Sequence, residues 1–582
     1  MRGRFGDRRR SDGHGPAPCR VCGGRLAPHL RGRGVELGPA ALAPSFHEPG
    51  RHGDLVTCVE CGAVEQTGLP RGRALRDAYV AVEDDAYLAD EPGRRATAAR
   101  LLDLIAAHVP AGRLLDVGCG HGLLLDEARR RGYDAAGLEL SRAAAAHARG
   151  VLGLEVHQVA LEEFAGAADE TFDVVVLADV LEHVDDPVAA IDACLGLLRD
   201  GGALCVTTPD PASATARLAG RRWWGYLPAH VVLLPRRTLR ELLGARGLVV
   251  CEDVPLVRTF PVRRWAGGLA ERLGPLGPPL QALAGRLGED RSFSLSLGDE
   301  RVVLARRVPV RQAPEPLFEE RGHRSRVHIV LPAFHARATI PSVVRELPPR
   351  SADRALLVDD ASTDATTVAA LAGGLDVLRH PVNLGYGAAQ KSGYVRALLD
   401  GADVLVMVHA DDQYDPGLLR EMTAPILAGE ADVVIGSRLL EDHTAEGGMP
   451  RWKWVGNRAL TAVENRVLGA HLSEYHSGYR AFSADLLRSI PFLRNADGFV
   501  FDQQILAQAA ARGARVAEVA IPTRYFEEAS SIGLRTSIAY GVRTLGALTR
   551  FALDRRGVRW ALLRRPAADL APAPARAAPA AA

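Results

Sequence analysis

The chain has 582 residues, and at roughly 100 to 200 residues per domain this length predicts several structural units and excludes one small domain. Hydrophobic residues make up 47% and charged residues 24%, which is typical of soluble globular proteins and excludes disorder throughout. The 71 basic and 70 acidic residues nearly cancel, so the chain lacks the cationic excess that drives non-specific nucleic-acid binding. We therefore expect no nucleic-acid partner.

All but two of the basic residues are arginine, the exceptions being Lys391 and Lys453, so a run of arginines by itself says little about function. No run of 18 apolar residues without charges occurs, and the basic N-terminus has no apolar segment behind it. These features predict a cytoplasmic protein that neither spans a membrane nor is exported.

Strand-like apolar runs alternate with helical stretches in both halves of the chain, which indicates an α/β fold with parallel sheets in each half. Low-complexity ends and a proline-rich, highly charged break near the middle set the boundaries. The predicted units are a disordered tail 1–18, a cysteine module 19–70, a first α/β domain 90–305, a linker 306–325, a second α/β domain 326–550 and a disordered Ala/Pro tail 566–582.

Two cysteine pairs share the form Cys-x-x-Cys-Gly, in which the glycine permits the positive φ of a tight knuckle. Two such knuckles can supply four thiolates for a closed tetrahedral zinc site. We predict one structural zinc ion, although histidines between the pairs could replace a ligand and a redox role for one pair is the alternative. The predicted ligands are Cys19, Cys22, Cys58 and Cys61, and the histidines are His29, His47 and His52.

The first α/β domain begins with an apolar strand that ends in alternating glycines and leads into an amphipathic helix. Such glycines let the backbone approach a ligand at the N-terminus of the helix. A second strand ends about twenty residues later in Glu139, where a carboxylate can accept hydrogen bonds from both hydroxyls of a ribose. The pattern predicts a nucleotide-type site.

Two later segments, residues 172–187 (FDVVVLADVLEHVDDP) and 197–211 (LLRDGGALCVTTPDP), resemble motifs of class I S-adenosylmethionine-dependent methyltransferases. The resemblance covers about residues 95–255 and implies a Rossmann-like fold that binds S-adenosyl-L-methionine. The cofactor-binding residues that it implies are Asp116, Gly118, Gly120 and Gly122 around the methionine portion, Glu139 at the ribose, Leu161 at the adenine and Asp179 beside the cofactor.

The methyl acceptor needs a base only if it carries a proton, and His183 in LEHV is the nearest candidate. The structural alternative is that His183 caps a turn between a strand and a helix. Tyr226 and His230, in the segment WGYLPAH, could reach the acceptor as well.

In the second domain, each apolar strand delivers polar groups at its C-terminal end, where open α/β sheets bind ligands. Asp359 or Asp360 would accept a hydrogen bond from a base N–H group. After a later strand, Asp411, Asp412 and Gln413 offer hard oxygen ligands for Mg²⁺ or Mn²⁺ on a diphosphate. The predicted substrate-binding residues here are Pro332, Asp359, Asp360, Asp364, Asn383 and Gly385.

This arrangement, over about residues 326–545, resembles family 2 glycosyltransferases with a GT-A fold, most closely their polyprenyl-phosphate mannosyl- and glucosyl-transferase-like branch. The segments that carry the resemblance are 436–438 (GSR), 477–482 (SGYRAF), 499–502 (FVFD) and 521–525 (IPTRY). The resemblance implies a nucleotide-diphosphate sugar as donor and a polyprenyl phosphate or glycan as acceptor.

Within that resemblance, Asp411 is the principal metal ligand, Gln413 is an auxiliary ligand, and Arg438 and Arg480 are candidates for phosphate contact. Asp502 would be the base if the acceptor is a sugar hydroxyl. His409 stands where the family usually has its first metal-motif acid, and it could either favour Mn²⁺ through its imidazole or act as a spacer.

These observations predict a bifunctional enzyme that transfers methyl groups in its first half and glycosyl groups in its second, in the assembly of a surface polysaccharide or a glycosylated metabolite. The competing hypothesis is an RNA or protein methyltransferase with a zinc knuckle, in which His409 marks a non-catalytic domain that only binds sugar nucleotides.

A helix beginning at Arg535 would gather its arginines on one arc and its apolar residues on another. Either the apolar arc packs on the catalytic domain, or the helix lies at the inner face of the cell membrane and brings the site to anionic lipid. The residues of the two arcs are Arg535, Arg543 and Arg550, and Ile538, Val542, Leu545 and Leu548.

Overall fold

The computed structural model describes most of the chain as packed helices and strands. The described residues are 18–32, 39–43, 52–168, 170–262, 292–318, 325–440, 451–522, 534–568 and 570. His47 and most of both predicted tails therefore lie outside the described residues.

The cysteine module is a small antiparallel sheet that borrows its last strand from the next domain. Its strands are β1 (Leu26–Leu30), β2 (Leu55–Cys58) and β3 (Val64–Gln66), and the borrowed strand is β9 (Val232–Leu233). The sheet order is β1-β2-β3-β9. The module is thus built onto the first α/β domain, because β3 pairs with β9 through Val64 and Glu65.

The first α/β domain has a seven-stranded sheet with helices on its faces. Its strands are β4 (Arg113–Val117), β5 (Asp134–Leu138), β6 (Glu155–His157), β7 (Phe172–Ala178), β8 (Leu198–Pro209), β10 (Leu248–Pro255) and β13 (Glu300–Arg307). Their order is β10-β13-β8-β7-β4-β5-β6. Strand β13 is antiparallel to both of its neighbours, so the predicted parallel sheet is in fact mixed.

The α-helices of this half precede, connect or follow those strands, and a short hairpin lies beside the sheet. The helices are Arg73–Val80, Glu91–Ala106, Leu123–Arg130, Arg142–Gly150, Leu161–Ala167, Pro187–Leu197, Ala214–Ala219 and Arg236–Ala245. The hairpin is β11 (Arg258–Pro261) with β12 (Ser292–Leu295).

The second α/β domain has an eight-stranded mixed sheet. Its strands are β14 (Val310–Arg311), β15 (Val327–Ala333), β16 (Arg354–Asp359), β17 (Asp376–Arg379), β18 (Val404–Met407), β19 (Val433–Ser437), β20 (Arg480–Ser483) and β21 (Val516–Ala520). The order is β14-β17-β16-β15-β18-β20-β19-β21. Strands β15, β16, β17 and β18 are parallel, whereas β20 is antiparallel to both neighbours.

The helices of the second domain cover both faces of this sheet, and short 3-10 turns join several elements. The helices are Ile340–Glu346, Thr366–Ala372, Tyr386–Leu399, Leu419–Leu427, Arg451–Leu468, Ala484–Ser489, Phe501–Ala511 and Leu534–Asp554. Among the described residues, the 3-10 turns are Pro39–Leu42, Asp85–Asp90, Gly220–Arg222, Pro416–Leu418, Phe492–Arg494 and Ala561–Leu563.

The predicted linker 306–325 is wrong for the residues that the structure describes there. Arg306 and Arg307 end β13, and Val310 and Arg311 form the edge strand β14 of the second sheet. Phe318 is buried in the core of that domain. The prolines and charges of this segment therefore mark an edge strand and a packed loop, because an edge strand tolerates missing donors.

The predicted C-terminal tail also begins too early. Ala567 is 2% exposed and packs with the core of the first domain, and Leu570 is 4% exposed and packs with that of the second. The backbone N–H of Ala567 donates to Glu241 at 2.8 Å. The alanines and prolines resembled low complexity, but Ala567 and Leu570 pack on the first and second domain, respectively.

Helix Leu534–Asp554 packs on the second domain through Leu548 of the predicted apolar arc and through side chains outside that arc. Thr544, Ala547, Leu548 and Phe551 are buried. Three apolar residues of the predicted arc remain exposed, namely Ile538, Val542 and Leu545. Within the described part of the chain, none of the helices has the length and hydropathy needed to cross a membrane.

Candidate functional site

The four predicted cysteine ligands form one compact cluster. The Sγ atoms of Cys19 and Cys61 are 3.7 Å apart, those of Cys22 and Cys58 are 3.4 Å apart, and all four lie within 4.8 Å of one another. Four thiolates at about 2.3 Å from a tetrahedral zinc would be separated by about 3.8 Å. The cluster therefore has the size of a four-thiolate metal site.

The two histidines between the knuckles that the structure describes, His29 and His52, do not join this cluster. His29 Nε2 lies 2.9 Å from the hydroxyl of Tyr226, and His52 Nδ1 lies 2.7 Å from the carbonyl of Gly53. Both imidazoles therefore face the loop that carries Tyr226 instead of the sulfur atoms.

Each knuckle contacts the first α/β domain beside its predicted acceptor region. Arg20, between the first two cysteines, donates to Asp185 at 2.5 Å, two residues after His183. The hydroxyl of Thr238 donates to the carbonyl of Cys61 at 2.7 Å. The cysteine module thus contacts segments on either side of the acceptor loop, which is the segment WGYLPAH that carries Tyr226 and His230.

The glycine loop after β4 has the conformation that the sequence predicts. Gly118, Gly120 and Gly122 all have positive φ, and a Cβ atom at Gly118 would lie 2.6 Å from Val180. Glu139 holds the loop, because its two carboxylate oxygens accept from the N–H groups of Gly120 and Ser141 at 2.7 Å each. The loop and the carboxylate at the end of β5 therefore meet at one edge of the sheet.

Two further predicted cofactor residues are buried beneath this edge. Asp116 is 2% exposed, and burial together with the nearby Glu139 raises its pKa to about 8. Its carboxyl group is therefore largely protonated at neutral pH. Leu161 is 8% exposed and belongs to the hydrophobic core, so its predicted contact with adenine stays a prediction.

Asp179, directly after β7, is held by an arginine that the sequence did not single out. Its Oδ2 accepts from Arg258 at 2.7 Å, and Arg258 also binds both oxygens of Glu300. Burial raises the pKa of Asp179, but the charge of Arg258 outweighs it and holds the pKa below its usual value. Arg258 carried no signal in a chain where nearly every basic residue is arginine.

His183 lies in a cluster of ionisable side chains. Its Nδ1 is 2.9 Å from the hydroxyl of Tyr79 and 3.1 Å from the carbonyl of Ala229, and its ring is 5.0 Å from that of His230. Burial lowers the pKa of His183, so the imidazole is neutral at neutral pH and able to accept a proton. Sequence reasoning found His183 and His230 but missed Tyr79, which lies about a hundred residues earlier.

A second missed side chain covers the glycine loop. Tyr87 stacks on His121 with ring centres 4.8 Å apart, and the guanidinium of Arg94 lies 3.8 Å from the centre of the Tyr87 ring. The stack brings an aromatic ring beside Gly120, where a ligand at the loop would lie.

In the second domain, the predicted base-binding aspartates are engaged by the protein. Asp359 accepts from the N–H of Ser362 and the hydroxyl of Thr367, and Asp360 accepts from the His380 ring and the N–H groups that follow Asn383. Asp359 is 1% and Asp360 4% exposed. The structure therefore contradicts an open base-binding carboxylate at either position, because both hold the loops that follow β16 and β17.

The remaining predicted substrate-binding residues lie around these loops. Pro332 is half-buried near the end of β15, and the side chain of Asn383 donates to the carbonyl of Asp360 at 3.2 Å. Asp364 accepts from the N–H and hydroxyl of Thr366. Gly385 has a φ of 99° and begins helix Tyr386–Leu399. These four residues share the edge of the sheet that binds ligands in open α/β folds.

Asp411 and Gln413 follow β18 at the same edge. Both are half-buried, and Asp411 Oδ1 accepts from the N–H of Gln413 at 3.2 Å. Burial raises the pKa of Asp411, but a hydrogen bond from His409 outweighs it and keeps the group ionised. A carboxylate with an adjacent amide suits a hard divalent cation.

His409 packs between Gly478 and Tyr386. A Cβ atom at Gly478 would lie 2.0 Å from His409 Nε2, so only glycine fits there. The same nitrogen is 3.1 Å from the hydroxyl of Tyr386, and Nδ1 is 3.7 Å from Asp411. In this structure His409 links the predicted metal ligand to Tyr386.

Asp502, the predicted base, lies at the far side of Tyr386. Its Oδ2 accepts from the Tyr386 hydroxyl at 3.1 Å, and its Oδ1 accepts from Gln390 at 2.9 Å. A chain of polar contacts thus runs from Asp411 through His409 and Tyr386 to Asp502. Tyr386 and Gln390 were not predicted, since one helical turn in a long sequence does not show which side chains face a site.

Arg438 and Arg480 are engaged by groups of the protein, and their predicted phosphate contacts stay a prediction. Arg438 binds the fully buried Glu474 through two nitrogens. Arg480 is 1% exposed and donates to the carbonyls of Ser477, Tyr475 and Asp502. The motif arginines therefore hold the backbone of the site, because a buried guanidinium needs several acceptors.

Backbone strain concentrates at the edges where these sites lie. Of the five described residues other than glycine that have positive φ, four follow sheet strands, namely Asp179 after β7, His335 after β15, Ala361 after β16 and Asp412 after β18. Such conformations cost about 1 to 3 kcal/mol each and cluster at functional sites.

Comparison with known families agrees with both halves of this geometry. A family model described as a methyltransferase domain matches residues 90–253, and the model of glycosyl transferase family 2 matches residues 328–490. The chain joins a methyltransferase domain to a family 2 glycosyltransferase domain. It is therefore an enzyme with two transferase domains.

Individual relatives match one domain each. The UDP-N-acetylglucosamine--dolichyl-phosphate N-acetylglucosaminyltransferase of Methanococcus voltae is 26% identical over 37% of this chain and 92% of its own length. The ubiquinone biosynthesis O-methyltransferase of Alkalilimnicola ehrlichii is 42% identical over 16% of this chain and 41% of its own length. The chain thus spans less than half of that curated methyltransferase.

Among solved structures, glucosyl-3-phosphoglycerate synthase from Mycobacterium tuberculosis in complex with UDP is 25% identical and covers 41% of this chain and 82% of its own. Its TM-score is 0.32, which is too low to support a functional inference.

Proposed function

We propose that the chain transfers a methyl group from S-adenosyl-L-methionine in its first domain and a glycosyl group from a nucleotide-diphosphate sugar in its second. The observation that carries the proposal is that each matched domain has its own polar cluster at the carboxyl edge of its own sheet, around Glu139 and around Asp411. The two clusters share no residue.

In the methyltransferase domain, the glycine loop after β4 and Glu139 would hold the cofactor. The Glu139 carboxylate suits this role, because it accepts a hydrogen bond from the Gly120 N–H at 2.7 Å and would accept from ribose hydroxyls in the same way. When bound, S-adenosyl-L-methionine supplies an activated methyl group on a sulfonium.

His183 is the residue that would accept a proton from the methyl acceptor. Its Nδ1 can donate to the carbonyl of Ala229, which leaves Nε2 with the free lone pair that a base needs. The hydroxyl of Tyr79 at 2.9 Å and the neighbouring His230 ring would then orient the imidazole and the acceptor. The ubiquinone O-methyltransferase relative supports an oxygen atom as the site of methylation.

We assign the cysteine cluster to one structural zinc ion. Four converging thiols leave no open coordination position for a substrate, which is typical of structural sites. The ion would stabilise the module that fixes the acceptor loop through Arg20 and Thr238.

In the glycosyltransferase domain, Asp411 with Gln413 would hold Mn²⁺ or Mg²⁺ against the donor diphosphate. Arg438 and Arg480 are already engaged by Glu474 and by backbone carbonyls, so a bound cation would supply the positive charge at the diphosphate. Pro332, Asn383 and Gly385 would line the nucleotide. The acetylglucosaminyltransferase relative, whose name includes a UDP sugar and a dolichyl phosphate, supports this class of donor and a polyprenyl-phosphate acceptor.

A polyprenyl-phosphate acceptor requires access to a membrane surface, and two adjacent helices provide a fitting face. Helix Leu534–Asp554 exposes Ile538, Val542 and Leu545, and helix Arg451–Leu468 exposes Trp454 and Val455. The described basic residues of the two helices that are exposed are Arg458, Arg466, Arg543 and Arg550. Their two acids are Glu464, which is fully buried, and Asp554, which pairs with Arg564. This cationic and apolar face would lie on anionic lipid.

Product formation tests the proposal directly. Purified protein incubated with Mn²⁺ and a panel of UDP-, GDP- and dTDP-sugars is expected to release nucleoside diphosphate when polyprenyl phosphate is added, and to bind S-adenosyl-L-methionine in a separate titration. Absence of turnover with every donor and acceptor would favour the non-catalytic scaffold marked by His409.

A further inference from the structure

One helix of the methyltransferase domain reaches into the glycosyltransferase domain. Arg240, on helix Arg236–Ala245, donates to Asp497 Oδ2 at 3.2 Å. The other oxygen of Asp497 accepts from Lys391 Nζ at 2.8 Å. Lys391 is one of only two lysines in the chain, is 9% exposed, and also donates to the carbonyl of Asn495. Asp497 is therefore held from both domains.

The backbone of Asp497 caps the helix that carries the glycosyltransferase site. Its carbonyl accepts from the N–H groups of Gly387 at 2.7 Å and Ala388 at 3.3 Å, which belong to the first turn of helix Tyr386–Leu399. These donors have no partner inside the helix, so an acceptor from another segment fixes where the helix begins. A Cβ atom at Gly385 would lie 2.6 Å from the same carbonyl, so the fit is close.

The first turn of that helix contains the residues that shape the candidate site. Gly385 N–H donates to Asp360, and the Tyr386 hydroxyl contacts both His409 and Asp502. A shift of the Asp497 carbonyl would therefore move the loop at Gly385 and the Tyr386 ring together.

The surrounding interface is rigid enough to transmit this constraint. Arg494, 1% exposed at its side chain, pairs with Glu241, 2% exposed, at 2.6 Å. Arg494 also donates to the carbonyls of Ala561 and Arg565, so the C-terminal segment closes over the same junction. Removing one partner of such a buried pair leaves an uncompensated buried charge, so the contact does not open freely.

We infer that Arg240 of the methyltransferase domain is a positioning residue for the glycosyltransferase site, acting through Asp497 on the first turn of helix Tyr386–Leu399. A contact from the methyltransferase domain then fixes the start of helix Tyr386–Leu399 in the glycosyltransferase domain, and it does so whether or not a methyl acceptor is present. The inference rests on the proposed glycosyltransferase function for its catalytic consequence, but its structural step stands on the contacts alone.

The test compares full-length wild type, Arg240→Ala and Arg240→Lys. Hydrogen exchange of the amides in residues 384–390 should be about ten times faster in Arg240→Ala and should return towards wild type in Arg240→Lys, which restores a cation. Binding of UDP, GDP and dTDP in the presence of Mn²⁺ should weaken about five- to tenfold in Arg240→Ala for whichever nucleotide wild type binds, with S-adenosyl-L-methionine affinity unchanged.

Arg246→Ala is the matched control, because Arg246 follows the same helix but pairs with Asp192 inside the methyltransferase domain. It should leave both exchange at 384–390 and nucleotide affinity at wild-type values. Equal exchange in Arg240→Ala and wild type would overturn the inference, as would faster exchange with unchanged nucleotide affinity. Failure of wild type to bind any of the nucleotides would contradict the proposed function, and the exchange comparison would still decide whether Arg240 fixes the helix.

Discussion

Asp116 shows how a single buried residue sets a measurable pH dependence. Its pKa is raised from 3.8 to about 8 by burial and by Glu139, so the folded state keeps a proton that the unfolded chain releases above about pH 4. The stability that this group contributes is complete below about pH 4 and is lost as the pH rises through about 8. An asparagine at position 116 cannot ionise, so it should not lose stability as the pH rises.

We therefore predict that Asp116→Asn changes the pH dependence of the methyltransferase domain. The stability of wild type relative to the variant should fall by up to about 1.4 kcal/mol per pH unit between pH 5 and 7, and the difference should level off above about pH 8. Thermal unfolding at a series of pH values measures this. Parallel curves for the two proteins would show that Asp116 ionises normally in the folded state.

At the scale of single residues, sequence reasoning worked where backbone geometry dictates residue type. The glycines after β4 and the four cysteines lie where their spacing predicted. It failed for side chains whose partners are distant in sequence, such as Tyr79 with His183 and Arg258 with Asp179. It also could not show that Arg438 pairs with Glu474, because a motif does not show whether a guanidinium faces a ligand or a buried carboxylate.

At the scale of elements, we expect the cysteine module to depend on the proposed zinc ion for its stability. Cys58→Ser should remove one thiolate and with it most of the bound zinc, because a structural site supplies folding free energy to its module. Metal analysis of purified protein should find about one zinc per wild-type chain and much less in the variant. Cys251→Ser, at a half-buried cysteine outside the cluster, should keep the full zinc content. Wild type purified from zinc-replete medium without zinc would contradict the assignment.

The exposed face of helix Leu534–Asp554 predicts binding to anionic lipid. Wild type should co-sediment with vesicles that contain anionic phospholipid and weaken as salt is raised, since each surface arginine contributes on the order of 1 kcal/mol. Arg543→Glu with Arg550→Glu should reduce binding at least tenfold. Arg221→Glu with Arg222→Glu, the same charge change on the methyltransferase domain, should have little effect. Equal loss in both double variants would mean that overall charge, and not this face, attracts the vesicles.

The sequence predicted element boundaries where apolar strands end in polar groups. It did not predict them where tertiary packing determines whether a segment is ordered or buried. Strands β4, β5, β15 and β16 fall where the sequence placed them. The linker was misassigned because prolines and charges occur both in free segments and in edge strands such as β14. The sequence predicted the apolar arc of helix Leu534–Asp554 but left its environment open, because neighbouring helices decide that Leu548 is buried and that Ile538, Val542 and Leu545 are exposed.

At the scale of the whole molecule, the two transferase domains are joined by a built interface and not by a flexible tether. Ala245 and Val249 of the first domain pack into the core of the second, and Ala567 packs into the core of the first. Arg494 and Glu241 form a buried ion pair across the junction. None of this could be predicted from sequence, because the contacting residues are up to about 330 positions apart and carry no shared motif.

We propose that one chain holds two transferase sites and that a point substitution in one site leaves the other active, although the two domains contact each other. The most direct measurement is a crossed comparison of full-length Glu139→Ala and Asp411→Ala, each assayed for S-adenosyl-L-methionine binding by titration and for nucleoside diphosphate release from the active sugar nucleotide. Glu139→Ala should weaken cofactor binding at least a hundredfold and keep sugar-nucleotide turnover within about twofold of wild type, and Asp411→Ala should do the reverse. Loss of both activities from either substitution, in protein whose thermal unfolding matches wild type, would contradict the account.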